Sequence, residues 1–250
     1  MCVVAFAAGT SADYPLVFAA NRDELHTRPT AMADWWPDAE IFGGRDLAAG
    51  GSWLAVNRAG QLAAVTNLPQ ANARKLPRSR GELVRDFLTR ENSASEFVQV
   101  LAARANEYGP FNFLGYDGRI FHYVGTQTDA HQLAPGEYAL SNAPWGTDWP
   151  KVRIARQGLR AALRTPDPVA ALHELLAPKA RTGDDPLDRR TALFIDDPVH
   201  GTRSSTVILR SADGQLRFSE YAFAADGRKT NAIAHTFMVG RQPSERVATR

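Results

Sequence analysis

The sequence predicts an α+β fold of mostly antiparallel sheets with pairs of helices packed outside them. Three observations predict it. Segments with strand patterning occur in runs, and two pairs of helix-patterned segments divide the runs: strands, two helices, strands, two helices, strands. Strict strand–helix alternation, the mark of a parallel sheet, is missing. Turn signals such as Asp213-Gly214 sit between neighbouring apolar runs and close hairpins. Two stacked sheets between two helical layers, a four-layer αββα sandwich, fit that order.

Each element has its own local reason. "CVVAFAA" (2–8) is apolar and partly β-branched, so it reads as a buried strand. "TSADYP" carries turn chemistry, and "LVFAANRDE" (16–24) follows as a second strand, giving an N-terminal hairpin. "SWLAV" and "LAAVT" flank "NRAGQ", a second hairpin. In "RGELVRDFLTR" (80–90) the period changes: Leu83, Val84, Phe87 and Leu88 form a helical stripe. "SASEFVQVLAARANEYG" repeats it, with Ser93 or Ser95 as cap and Gly109 as stop. "FNFLGYDGRIFHYVG" (111–125) returns to strands around an Asp-Gly turn, and "GEYALSNAPW" (136–145) is a strand ending in a loop. Residues 150–164 and 168–177 form the second helix pair, parted by Pro166 and Pro168. Strands follow in "TALFI", "SSTVILRSADGQLRFSEYAF" and "HTFMV". The basic stretch "PQANARKLPRSR" (69–80) reads as a surface loop.

The chain of 250 residues, 44% hydrophobic, can bury a substantial core, and it reads as one domain over 1–250. Lys and Arg number 29 against 27 Asp and Glu, a formal charge of +2. That balance argues against a dedicated nucleic-acid protein, although the pI is about 8.8. No apolar run is long enough for a bilayer, so an integral membrane protein is not expected. The apolar start lacks a basic n-region, and a secretory signal is not expected either. One cysteine forms no internal disulfide, which fits a reducing compartment; the cytoplasm is the default location.

That cysteine is the main functional signal. Cys2 directly follows Met1, and removal of Met1 would leave a thiol and a free α-amine on one carbon. A neutral amine can take the thiol proton, an established route to an activated nucleophile. Position alone leaves this role open against that of a small buried residue at a strand start. "NRDEL" (21–25) ends the second strand beside the start of the first. Asn21 and Asp23 fall on one strand face, Arg22 and Glu24 on the other. An aspartate there would bind the α-amine; a solvated Arg–Glu edge is the alternative. "AVTNLP" (64–69) and "ALSNAP" (139–144) end alike, and Asn67 and Asn142 could donate to an oxyanion or simply close Asx-turns. Arg203 precedes a β-branched strand, where a cation near the nucleophile would favour thiolate.

Taken in order, "MC", "AANRDE", "RP" (28–29), "GGSWLAV", "LAAVTN", "RGELV", "LSNAPW" and "GTRSSTVIL" make the chain resemble the NRDE-motif family, also called the transport and Golgi organisation protein family. The resemblance runs from residue 1 to about residue 220. It implies kinship with N-terminal nucleophile hydrolases and their αββα sandwich. Among these, the penicillin V acylase and bile salt hydrolase enzymes use an N-terminal Cys, an Asp on the second strand, Asn residues at strand ends and a late Arg. By motif, those roles fall on Cys2, Asp23, Asn67 or Asn142, and Arg203. One departure is clear: those enzymes carry an arginine on the second strand where this chain has Ala20, and Arg22 stands on the face away from Asp23.

The implied function is a cofactor-independent cysteine hydrolase of a small non-peptide C–N amide. The resemblance also implies the alternative of a non-catalytic carrier in haem trafficking or in lipid and acyl-CoA homeostasis. For such a ligand the candidate contacts are Asn21, Arg22, Glu24, His26 and Trp53. The six histidines (26, 122, 131, 173, 200 and 235) show no haem-attachment or metal-ligand spacing, and His26 is notable only for following the NRDE segment. "DWW" (34–36), Trp53 and "PWGTDW" (144–149) would line an apolar pocket or pack in the core.

Overall fold

The structure, a computed structural model, describes residues 2–69, 76, 78–181 and 188–240. The chain opens with the expected hairpin of β1 (Val3–Ala8) and β2 (Leu16–Leu25), followed by β3 (Thr30–Trp35), β4 (Ile41–Asp46), β5 (Leu54–Asn57) and β6 (Leu62–Asn67). The first helix pair is α1 (Arg80–Leu88) and α2 (Ala94–Ala103), with a single 3₁₀ turn at Ala105–Glu107. Strands β7 (Phe111–Tyr116), β8 (Phe121–Gly125), β9 (Thr128–Gln132) and β10 (Gly136–Ser141) come next. The second helix pair is α3 (Pro150–Ala162) and α4 (Pro168–Leu176). The short pieces β11 (Lys179–Arg181), α5 (Asp188–Thr191) and β12 (Phe194–Asp196) lead into β13 (His200–Arg210), β14 (Gln215–Phe223) and β15 (Lys229–Met238).

Among the described residues these strands form two large sheets. One has the order β10-β1-β2-β13-β14-β15, the other runs β3 to β9 as a meander, and all pairs in both are antiparallel. Strand alternation sorts the apolar residues into three cores. Val4, Phe6, Leu16 and Phe18 from the first sheet meet Phe42, Leu54, Val56 and Leu62 from the second. Val3, Ala5, Val17 and Ala19 turn the other way and pack on Ala155, Leu159, Leu172 and Leu176 of α3 and α4. On the far side, Leu83, Val84 and Phe87 of α1 and Val98 of α2 cover Ala63, Phe111 and Phe113. The result is the αββα sandwich, with two sheets between two helical layers.

Local chemistry fixes the helix ends near the site. Ser79 caps α1 and Glu82 reaches back to the cap, a complete capping box. Ser93 caps α2, and Pro150 starts α3, where its missing N–H costs nothing. Gly51 has a steric reason to be glycine: an added Cβ would lie 2.3 Å from the Gly81 carbonyl carbon. That close approach pins the first turn of α1 against the loop before β5.

Several expectations need adjustment. The segment "TALFI" splits between the end of α5 and β12 rather than forming one strand. Strands β3, β4 and β9 have no counterpart in the sequence reading. Most of the expected basic loop at 69–80 (residues 70–75 and 77) lies outside the described residues. No described helix is long and apolar enough to cross a membrane.

Candidate active site

The register of the N-terminal hairpin builds the site. Val3 pairs with Asn21, so the next residue outward on each strand, Cys2 and Arg22, lie across from one another on the same face. Cys2 is half-buried, and its thiol rests on the Asp23 backbone: the Asp23 N–H donates to the sulfur at 3.3 Å. Ser141, the last residue of β10, donates its hydroxyl to the Cys2 carbonyl at 2.5 Å. The start of the described chain is thus tied between β2 and β10.

The sulfur opens onto a cleft of about 910 Å³. Its walls come from the NRDE segment (Arg22, Asp23, Glu24), from Trp53 and Ser52, from the end of β6 (Val65, Thr66, Asn67, Leu68), and from the start of α1 (Ser79, Arg80, Gly81). Arg22 is buried; its guanidinium stacks 4.1 Å over the Trp53 ring, donates to Thr30 and sits 3.7 Å from Glu24. Glu24 also faces Arg28 at 3.8 Å, and Arg28 makes a closer pair with Asp46 at 2.6 Å.

Asp23 points toward the helical layer. Thr202 donates to its carboxylate at 2.6 Å. Below it lies Lys151, in the first turn of α3, with 0% exposure. Burial lowers the Lys151 pKa, and the Asp23 carboxylate is the main charge holding its ammonium form, with Cys2 next and Arg189 opposing. The Cys2 thiol is pushed up by burial and by the Asp23 charge, while the hydrogen bond from the Asp23 N–H and, more weakly, Arg22 pull it down. Arg22 thus supplies cationic support from the very face that separates it from Asp23, because Cys2 shares that face.

The remaining sequence candidates fall at different distances from the chemistry. Asn67 lines the cleft; Asn142 sits behind it and donates to the Asn67 carbonyl at 2.6 Å. Beneath both, Asn112 donates to Thr66, Ser141 and Ala143 and accepts from the Tyr123 hydroxyl, whose pKa burial raises to about 12. This network ties the Thr66-Asn67 strand end to the Ser141-Asn142 end across the two sheets. Asn21, expected among ligand contacts, turns away from the cleft: its amide donates to the Leu176 and Leu193 carbonyls and accepts from Ser205. His26 lies outside the cleft lining, with Nε2 3.0 Å from the Asp197 carbonyl. Arg203 is the extra residue of a bulge between β13 and β2, and the kink re-aims it. It donates to the Leu25, His26 and Arg28 carbonyls rather than lining the cleft. Trp35 and Trp145 pack on the core between the sheets. Among the described residues no group of three His, Cys, Asp or Glu is arranged to hold a metal.

Sequence comparison decides the family. The Transport and Golgi organisation 2 family profile matches residues 1–225. The chain belongs to that family. It is 32% identical to the bovine Transport and Golgi organization protein 2 homolog, covering 90% of this chain and 92% of that one. It is also 32% identical to the human homolog, with 83% and 86% covered. The fold is shared with N-terminal nucleophile amidases. An N-acylethanolamine-hydrolyzing acid amidase ortholog from Caenorhabditis elegans superposes with a TM-score of 0.53 at 14% identity, covering 83% of this chain and 92% of that one. A C2A mutant of the conjugated bile acid hydrolase from Clostridium perfringens gives 0.51 at 10% identity, covering 95% and 96%. At those identities the likeness is one of fold.

Sequence reasoning missed Lys151, Thr202, Asn112, Ser141 and Arg80. Lys151 reaches the site only through the packing of α3 under β1, which no local pattern reports. The matching strand ends "TN" and "SN" did flag the right region, but the residue that joins them, Asn112, lies in an unremarkable apolar strand.

Proposed function

We propose that this protein is a cofactor-independent cysteine amidohydrolase acting on a small non-peptide C–N amide. The observation that carries the reading is the Cys2 sulfur at the wall of an open cleft, across from Arg22 and against the backbone of Asp23. The shared fold with two solved enzymes, an N-acylethanolamine-hydrolyzing acid amidase ortholog and a conjugated bile acid hydrolase, supports an amide as substrate.

In the proposed cycle, removal of Met1 gives Cys2 a free α-amine beside Asp23. Its ammonium form offsets the carboxylate charge that now raises the thiol pKa. The neutral amine takes the thiol proton and the sulfur adds to the substrate carbonyl carbon. The Asn67 side chain donates to the oxyanion, and Asn142 holds that strand end in place. The C–N bond breaks as the α-ammonium returns the proton to the leaving nitrogen, leaving a thioester on Cys2. Water then adds to the thioester with the amine again as base, the C–S bond breaks, and acid and thiol are released. Asp23 orients the amine throughout, and Arg22 stabilises the thiolate.

The test is turnover of a panel of N-acyl amides by untagged protein, read as released amine. The proposal expects at least one substrate whose hydrolysis Cys2→Ala abolishes. No turnover across the panel, or equal turnover by Cys2→Ala, overturns it.

A second reading is a non-catalytic carrier that uses the same cleft for an amphipathic cargo such as haem or acyl-CoA. The raised thiol pKa favours it, because a neutral thiol is a weak nucleophile. Trp53, Val65 and Leu68 would supply the apolar wall. This reading expects a titratable Soret shift or acyl-CoA binding that survives Cys2→Ala, and failure to bind either ligand removes it.

A further inference from the structure

Ion pairing around the cleft leaves one arginine without a carboxylate partner among the described residues. Four arginines line it: Arg22, Arg28, Arg78 and Arg80. Arg22 faces Glu24, Arg28 pairs with Asp46, and Arg78 pairs with Glu82, Asp86 and Glu107. Among the described residues Arg80 has no carboxylate within 4.0 Å. Its side-chain hydrogen bond is one donation from Nη1 to the Pro110 carbonyl at 3.2 Å. Partial burial disfavours its charged form, the strongest charge acting on it is another cation, Arg28, and Glu24 acts more weakly in the other direction.

The group is also held in place. Arg80 is the first residue of α1, and that turn is locked by the capping box and by the backbone contact between Gly51 and Gly81. Gly81 accepts from the Ser52 N–H at 3.2 Å. A half-buried guanidinium with unused donors on a fixed backbone, beside a second guanidinium, is complementary to an oxyanion. The positive end of α1 adds to the same field. Along the same cleft, Trp53, Val65 and Leu68 offer an apolar wall.

We propose that Arg80, assisted by Arg28, is an anion-recognition subsite, and that the cleft selects amides with an apolar acyl part and a carboxylate or phosphate on the other part. The assignment rests on the amidohydrolase reading for the word substrate, but the subsite itself is a binding claim.

Isothermal titration with N-octanoylglycine and its neutral counterpart N-octanoylglycinamide separates the two. Both are titrated into Cys2→Ala protein at about 0.15 M salt, so that turnover does not interfere. A charge-assisted pair of this kind predicts an advantage of about 10- to 100-fold for the acid. Arg80→Gln should reduce that advantage to about threefold or less with the affinity for the neutral amide unchanged, and Arg80→Lys should restore part of it. Competition by inorganic phosphate against the acid would assign phosphoryl groups to the same subsite; its absence restricts the subsite to carboxylates. Equal affinity for the two probes, no binding of the acid at about 1 mM, or an acid preference that survives Arg80→Gln overturns the proposal. A thermal melt confirms that each variant is folded. An acid preference without any amide turnover would sink the hydrolase and leave the subsite standing; turnover without acid preference would do the reverse.

Discussion

Lys151 and Asp23 provide the sharpest energetic test of how the site is built. Lysine is almost never fully buried unless paired, yet Lys151 has 0% exposure and Asp23 is 6% exposed. Burial penalises both charges, and the Asp23 carboxylate is the leading influence that keeps Lys151 protonated. Replacing either member removes that influence, and loss of an opposite charge from beside a buried one costs up to about 3–5 kcal/mol. Lys151→Met keeps most of the volume, so its cost isolates the charge. Asp23→Asn keeps the shape and an acceptor for the Thr202 hydroxyl. Each single variant should lose about 3 kcal/mol or more by urea melting followed by circular dichroism. The double variant should lose at least about 2 kcal/mol less than the sum, because the attraction between the two charges is then lost only once. Additivity within about 0.5 kcal/mol would refute the claim that the two charges support one another.

Other perturbations probe the surroundings. His173 stacks on Tyr221 and holds Ser219 at 2.8 Å, and burial together with Lys229 depresses its pKa to about 4, with Asp167 acting against them. Its folded pKa lies below the unfolded value of about 6.5, so this stability is present above pH 6.5 and is lost as pH falls toward 4. Wild type should lose about 3 kcal/mol more than His173→Gln between pH 7 and pH 4 by denaturant titration; parallel pH profiles would contradict this. Gly51→Ala puts a methyl group into the Gly81 carbonyl and should cost about 1–3 kcal/mol in a thermal or urea melt while weakening ligand binding in the cleft. An unchanged melt would show that the α1 contact yields freely. Glu220 is fully buried between the sheets, where it accepts from Thr206 and the Ala33 N–H, and burial raises its pKa. A raised carboxyl pKa means stability falls as pH rises from the unfolded value toward the folded one. Glu220→Gln should therefore gain stability relative to wild type as pH rises above about 4.5 and show no gain below it; a constant difference across pH would contradict this.

Local patterning made much of this legible. The hairpin of β1 and β2, a serine cap on α2 at Ser93 or Ser95 (the structure uses Ser93), and the turn at Asp213-Gly214 follow from residue type and period alone. Strands β3 and β4 were not readable, because "TAMADW" and "IFGGRD" mix glycine and charge with too few alternating apolar positions. Strand β9, "TDAHQ", is mostly polar and is placed by its neighbour β8. At the site, alternation correctly parted Arg22 from Asp23 but could not say which face bears the sulfur. That depends on the pairing of Val3 with Asn21, a register between strands. Since both faces of β2 are covered, one by the second sheet and one by helices, alternation also could not say that Asn21 is consumed by packing. Arg203 read as a cation near the nucleophile, and only the bulge reveals that it clamps the turn after β2 instead.

The central claim is chemical: a residue-two sulfur, freed at its amine, attacks acyl carbon in this cleft. Mass mapping of the N-terminal peptide after brief exposure of untagged protein to p-nitrophenyl octanoate tests it directly. The account predicts a peptide that begins at Cys2 and carries one octanoyl group there. A peptide that still begins at Met1, or an acyl group found elsewhere with Cys2 unmodified, would contradict it.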